Sequence, residues 1–249
     1  MNIPLPIPPL LDNYWTGHAK TLAPWADEAP ATHFPGAKAA DYASMMQEVD
    51  FLLEKGFPLG LALVMGEMDI PVCREIRNVA ARQADYISWV ATGPVLIAVF
   101  RRGLFEELRP AWRQIVAERT EVTAGVVFSE GFANHHELLL AARIALHRAM
   151  VQNTDLLVLD PGEANRAVAD HRIAVTMKKH LAAGGGDFAA HFQPQVEMRS
   201  GLPTGAEALA RWRPDDEEIP PSRFIPIAEE AGLIGEIGEM MFSLSARTL

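Results

Sequence analysis

A long helical pattern that ends at three consecutive glycines divides this chain. The segment EANRAVADHRIAVTMKKHLAAGGG begins at Glu163 and predicts a helix of about twenty residues, because nothing breaks the pattern before Gly184–Gly186. Glycine-rich sequence is flexible, so we expect a hinge there and a new folded unit from Asp187 onward. The sequence therefore predicts two units joined by a linker helix and glycine hinge at 162–186.

The first unit alternates helix and strand patterns. Gly36–Lys55 carries an apolar stripe at helical spacing, PLGLALVM is a short buried strand, CREIRNVAARQA is a second helix, and Tyr86–Phe100 predicts a hairpin. A third helix, interrupted by Pro110, is followed by the strand VTAGVVF, a helix with Asn134 as its N-cap and the strand DLLVLD. This order predicts an α/β fold in which helices layer a sheet.

Composition limits the classes of partner. The net charge of −10 and the pI near 5.3 argue against a broad basic face for nucleic acid, so we expect no nucleic acid partner. Cys73 is the one cysteine, which excludes an intramolecular disulfide and favours a reducing compartment. The longest uncharged run, 86–100, is too short to span a membrane, so we expect a cytoplasmic chain without a membrane segment. Four prolines among the first nine residues make 1–28 a linker or docking arm.

The most informative stretch for function is FQPQVEMRSGLPTGAEALARW, from Phe192 to Trp212. It predicts two amphipathic strands joined by a Gly/Pro turn, and the second strand places Glu207 between small apolar residues and is followed by Arg211. From the residues alone, Glu207 could be a solvated carboxylate at a strand end. Arg211 could equally form an ion pair with Glu207 or with Glu229.

Together with PPSRFIPIAEEAGLI and IGE, this stretch resembles the opening of an EAL domain, a cyclic di-GMP phosphodiesterase domain built as a modified TIM barrel. The resemblance implies that Glu207 binds Mg²⁺ or Mn²⁺, that Arg211 contacts a ligand phosphate, and that Gln193 lines the nucleotide site. TIM barrels typically need about 250 residues. The stretch 187–249 therefore predicts only the incomplete start of that barrel, with no complete catalytic set and no hydrolysis by this chain alone.

The segment 29–161 resembles, more weakly, a degenerate GGDEF domain, the fold of nucleotidyl cyclases that make cyclic di-GMP. The signature hairpin falls on Ala91–Val95, which contains no acidic residue to hold metal ions, so we expect no diguanylate cyclase activity. Arg82 and Asp85 stand at the spacing of the family's inhibitory cyclic di-GMP site. They could instead form a local ion pair at a helix end.

These resemblances leave two classes of function open. The chain is the N-terminal portion of a degenerate GGDEF plus EAL phosphodiesterase that converts cyclic di-GMP to pGpG, or it is a non-enzymatic nucleotide receptor or interaction module. A truncated product without activity is a third alternative. Cyclic di-GMP is the expected partner, with GTP and a second copy of the chain as further candidates.

Overall fold

The structure, a computed structural model, describes residues 37–39, 42–65, 87–92, 95–118 and 122–248. The predicted arm at 1–28, the predicted second helix, Arg82, Asp85 and the turn at Gly93-Pro94 lie outside the described residues. The contacts between residues divide the chain into two units. The division falls between Val168 and Ala169, inside the helix Pro161–Ala182.

The first unit is built on one mixed sheet. Its strands are β1 (Ala37–Ala39), β2 (Leu59–Met65), β3 (Ile87–Thr92), β4 (Val95–Arg101), β5 (Thr123–Phe128) and β6 (Leu156–Val158). They lie in the order β1-β3-β4-β2-β5-β6, with the two outer pairs parallel and the inner neighbours antiparallel. The helices are α1 (Tyr42–Glu54), α2 (Phe105–Glu118), α3 (His135–Val151) and the start of α4 (Pro161–Ala182). The α/β prediction and the predicted hairpin are confirmed.

Alternation along the central strand β2 separates two apolar layers. Leu59, Leu61 and Leu63 are buried in the cluster that holds α1, α3 and the first turns of α4. Val64 and Ala62 face the opposite layer, where Trp112 of α2 packs. Successive side chains of a strand point to opposite faces, so one buried strand serves both layers of helices.

Two predictions about helix boundaries had different outcomes. Asn134 caps α3, since its side chain accepts a hydrogen bond from the amide of Glu137 at 3.0 Å, as predicted. Pro110 does not interrupt its helix, because α2 runs through it. A proline removes one helical hydrogen bond. Phe105, Leu108 and Trp112, on both sides of Pro110, pack against the sheet and hold the helix together.

An acidic side chain of α1 binds the start of α3. Asp50 accepts hydrogen bonds from the backbone amide of His135 at 2.7 Å and lies 2.7 Å from its ring Nδ1. Burial raises the pKa of Asp50, but the hydrogen bonds and charge of His135, with a further effect of His136, outweigh it and leave the pKa below its usual value. The side chain of His135 is only 15% exposed, so it is held in this contact between the two helices rather than in solvent.

The triple glycine forms the C-terminal cap of α4. The amide of Gly185 donates to the carbonyl of His180 and that of Gly184 to Leu181, at 2.8 and 3.0 Å. Gly184 and Gly185 have φ angles of 96° and 69°. This pair of hydrogen bonds with left-handed backbone is the Schellman motif, which glycine favours because it has no Cβ. The hinge predicted at this position stays a prediction.

The second unit consists of a hairpin covered by helices. After α4 come β7 (Phe188–Val196), β8 (Pro203–Trp212), α5 (Pro221–Glu230) and α6 (Ile234–Thr248). In the described residues, β7 and β8 form a two-stranded sheet and no closed barrel is present. None of the helices described has the length and hydrophobicity that crossing a membrane requires.

We predict that Gly125→Ala destabilises the first unit by about 1–3 kcal/mol or more, because β5 passes too close to α3 for a side chain. A Cβ atom on Gly125 would collide with the backbone of Ala145 and Leu146. Urea unfolding measures the effect. The control is Gly103→Ala, which has open space around the new methyl group and should change stability by less than about 0.5 kcal/mol. Equal stability of the two variants would contradict the close packing.

We also predict that Asp50→Asn lowers stability near neutral pH and that this deficit disappears in acid. The folded-state pKa of Asp50 is lowered, so its stabilising effect is present above the unfolded-state pKa of about 3.9 and is lost as pH falls through the folded-state value. Urea unfolding of both proteins between pH 7 and pH 3 would show the two curves converging below about pH 4. A constant difference over that range would contradict the pairing.

Candidate functional site

The hairpin β7–β8 fixes which residues of the motif face each other. It is antiparallel with Phe188 opposite Trp212, Gln193 opposite Glu207 and Ala189 opposite Arg211. Since side chains alternate along each strand, Gln193, Glu207 and Arg211 share one face. Phe188 and Trp212 point to the other face.

Helices cover the face that carries the aromatic residues. Phe188 stacks on Trp212 with ring centroids 5.4 Å apart, and Phe224 of α5 meets both rings edge to face. This buried cluster is completed by Met177 of α4, by Leu233 immediately before α6 and by Ile237 of α6. The full burial of Trp212 and Phe224 anchors the C-terminal end of β8 and the N-terminal end of β7.

The opposite face is open and polar. The side chains of Gln193 and Glu207 are exposed, and Arg211 is half-buried. No hydrogen bond or ion pair of Glu207 is recorded within the part of the chain that the structure describes. We call the side chains of Gln193, His191, Glu207, Leu209 and Arg211 the open face. The structure thus brings together three of the five residues that the sequence singled out.

Arg211 does not form either of the ion pairs considered from the sequence. Its Nη1 donates a hydrogen bond of 2.9 Å to the carbonyl oxygen of Ala210. No ion pair with Glu207 or Glu229 is recorded among the described residues. Guanidinium groups carry five N–H donors, so most of the hydrogen-bonding capacity of Arg211 is left for a ligand.

Glu218, in the loop after β8, forms an ion pair with Arg213. Glu218 accepts hydrogen bonds from Arg213 Nε at 3.0 Å and Nη2 at 2.7 Å. The hydrogen bond from Arg213 and its charge lower the pKa of Glu218 against a smaller effect of burial, and Arg211 and His191 lower it further.

The described residues fit a divalent metal ion only in part. Mg²⁺ and Mn²⁺ prefer several oxygen ligands, and the open face supplies a single carboxylate, Glu207. Among the residues described, no group of three or more His, Cys, Asp or Glu side chains could hold a metal ion. Glu207 is positioned to be one ligand, and no metal site is complete here.

The sequence analysis did not single out His191, although the signal was available. His191 lies two residues before Gln193 on β7, and a period of two places both on the same face. The motif that resembles the EAL domain begins at Phe192 and therefore does not include His191.

Comparison with known proteins identifies the C-terminal part of the chain. Residues 178–249 match the family described as EAL domain. This match contains the hairpin, both covering helices and every residue of the open face.

Curated relatives match over short stretches. The bifunctional diguanylate cyclase/cyclic di-GMP phosphodiesterase MucR of Pseudomonas aeruginosa is 29% identical over 53% of this chain and 19% of its own length. The cyclic di-GMP phosphodiesterase PdeL of Escherichia coli is 34% identical over 33% of this chain and 24% of its own. The oxygen sensor protein DosP of Escherichia coli is 48% identical over 23% of this chain and 7% of its own. The aligned part of this chain spans less than a quarter of each of these relatives.

Among solved structures, the S helix-GGDEF-EAL portion of Vibrio cholerae LapD, bound to c-di-GMP, aligns with a TM-score of 0.44 and 13% identity. That alignment covers 88% of this chain and 57% of the LapD chain. This structural similarity is too low to support an assignment, so the family match of the C-terminal segment rests on sequence. The C-terminal segment at 178–249 matches the EAL domain family, as the resemblance of its hairpin motif implied.

Proposed function

We propose that this chain is part of a cyclic di-GMP signalling protein and that the open face of the hairpin is part of its nucleotide site. One observation carries the proposal: Gln193, Glu207 and Arg211 share the open face, while helices cover the end of the other face at Phe188 and Trp212. In TIM-type barrels the helices lie outside the strands, and active-site residues come from the strands and the loops that follow them. The open face of β7–β8 has the orientation of a barrel interior.

The proposed roles follow from the chemistry of each side chain. Glu207 supplies one oxygen ligand for Mg²⁺ or Mn²⁺, the ion that would activate water and neutralise charge on a phosphodiester. Arg211 holds a phosphate oxygen through charge-assisted hydrogen bonds, and Gln193 donates or accepts hydrogen bonds at the nucleotide. In the whole protein these residues serve hydrolysis of cyclic di-GMP to pGpG, and this chain by itself is inactive.

The proposed organisation keeps the domains expected from the sequence. The segment 29–161 is a degenerate GGDEF-like domain, 162–186 is a linker, and 187–249 is the start of the EAL domain. Several relatives that match this chain carry the names of cyclic di-GMP enzymes, which supports the assignment. Arg82 and Asp85 as an inhibitory nucleotide site, GTP as a second ligand and a homodimer stay predictions.

A second candidate function is supported by the incomplete metal site. A face with one carboxylate and an arginine can bind a phosphodiester without cleaving it, since binding needs donors whereas hydrolysis needs the metal ion. A non-enzymatic receptor for the same nucleotide is therefore the alternative. Binding without turnover would distinguish it.

We predict that Glu207→Ala lowers the rate of cyclic di-GMP hydrolysis by roughly a hundredfold or more in the protein as its gene encodes it. Even the loss of a group that only hydrogen-bonds to a metal ligand lowers metal affinity or activity by about ten- to a hundredfold, and loss of the ligand itself should lower it further. Chromatographic detection of pGpG measures the rate. The control is Glu239→Ala, an exposed glutamate of α6, which should keep the parental rate and melting temperature. A Glu207→Ala protein that hydrolyses at the parental rate would exclude the assigned role.

We also predict that the purified protein makes no cyclic di-GMP from GTP. The segment Ala91–Val95 contains no carboxylate, and metal-assisted transfer of a nucleotidyl group needs carboxylates to hold its ions. Incubation with GTP and Mg²⁺ or Mn²⁺, followed by chromatography, measures the product. Cyclic di-GMP above a control without protein would show that the GGDEF-like domain is active.

A further inference from the structure

His191 occupies the middle of the open face. It is paired with Leu209, which stands between Glu207 and Arg211 on β8. A strand rises about 3.3 Å per residue, so Glu207 and Arg211 are separated by about 13 Å along the strand, with His191 opposite the midpoint. The neighbouring partner of Arg211 is Ala189, whose methyl group offers no hydrogen bond.

The imidazole of His191 is not used by the fold. The side chain is exposed, and its ring forms no hydrogen bond or ion pair with the described part of the chain. A histidine that served the fold would lie on the covered face, where Phe188 and Trp212 are buried. His191 lies on the other face.

The surroundings of His191 favour an anionic ligand group. Arg211 is the diagonal neighbour of His191 across the hairpin, since His191 is paired with Leu209 and Arg211 follows Leu209 by two residues, so the two basic side chains border one region of the open face. Leu209 is apolar, so His191 is the polar side chain of this region between Gln193 and Arg211. An imidazole can donate a hydrogen bond whichever of its two tautomers is present.

We propose that His191 is a further ligand-contact residue, which donates a hydrogen bond to a phosphate oxygen of the cyclic dinucleotide held between Glu207 and Arg211. The inference rests on the proposed function, because the ligand is the one assigned there. Phosphate is the group that fits, since a guanidinium binds phosphate oxygens directly, and a carboxylate would hold a phosphate only through a shared metal ion. His191 extends the phosphate contact from one strand of the hairpin to both.

The test uses the protein as its gene encodes it, titrated calorimetrically with cyclic di-GMP. Ca²⁺ replaces Mg²⁺ so that binding is measured without hydrolysis. Ca²⁺ binds oxygen ligands but does not adopt the strict octahedral geometry of Mg²⁺. The variants are His191→Ala and His191→Gln, which retains a donor. The matched control is Gln195→Ala, on the same strand and face but opposite Gly205, outside the interval between Glu207 and Arg211.

We expect His191→Ala to weaken binding by about tenfold or more, the effect of losing a hydrogen bond to a charged group. His191→Gln should recover most of the affinity, and Gln195→Ala should keep the parental affinity. The NMR signals of the His191 imidazole, assigned by their loss in the variant, should shift when cyclic di-GMP is added. Unchanged melting temperatures would show that none of these effects comes from the fold.

The outcomes separate this inference from the function on which it rests. If the parent protein binds cyclic di-GMP and His191→Ala binds it equally well, the inference is wrong and the proposed function stands. If the parent protein does not bind cyclic di-GMP, the proposed function is wrong and the inference fails with it. If His191→Ala and His191→Gln lose affinity and melting temperature together, His191 serves the fold, and the inference is also wrong.

Discussion

The packing of Phe188 on Trp212 determines the orientation of every residue in the proposed site. These two rings stack directly across the β7–β8 hairpin, and Phe224 closes the cluster from α5. A strand shifted by one residue would turn all its side chains to the opposite face. In this hairpin such a shift would turn Glu207 to the face that carries Phe188 and would expose Trp212, so aromatic packing at one end of the hairpin holds the polar residues on the open face.

Local patterns in the sequence predicted most of the described elements. The hairpin β3–β4, the buried strand β2 and the N-cap Asn134 all follow from residues near one another in the chain. Pro110 was the exception, because helix α2 is held by contacts with the sheet that no local rule contains. Gln193, Glu207 and Arg211 could be placed on one face from strand periodicity, but the covering of the opposite face by α5 and α6 required the structure.

Interactions between residues far apart in the chain could not be predicted from the sequence. Asp50 and His135 are 85 positions apart, and nothing in either local segment indicates that they meet. The partner of Glu218 is nearer, but choosing Arg213 rather than Arg211 depends on the path of the loop between them. The metal site posed a related difficulty: a motif can identify one ligand, whereas coordination depends on oxygen atoms brought together by folding.

The cap of α4 shows that neighbouring glycines can be required for different reasons. Gly184 has a positive φ angle and free space around it, whereas Gly185 also has a positive φ angle but faces the sulfur of Met240, and Gly186 meets neither condition. Handedness is therefore the whole constraint at Gly184. An L-residue at Gly184 would only have to adopt an unfavourable backbone conformation, whereas at Gly185 its Cβ atom would also collide with the sulfur of Met240. A residue of mirror-image configuration such as D-alanine prefers positive φ angles and carries its methyl group on the opposite side of the Cα atom, away from the direction that meets Met240. Two adjacent glycines thus differ in what restricts them: backbone handedness alone at Gly184, and both handedness and the space for a side chain at Gly185.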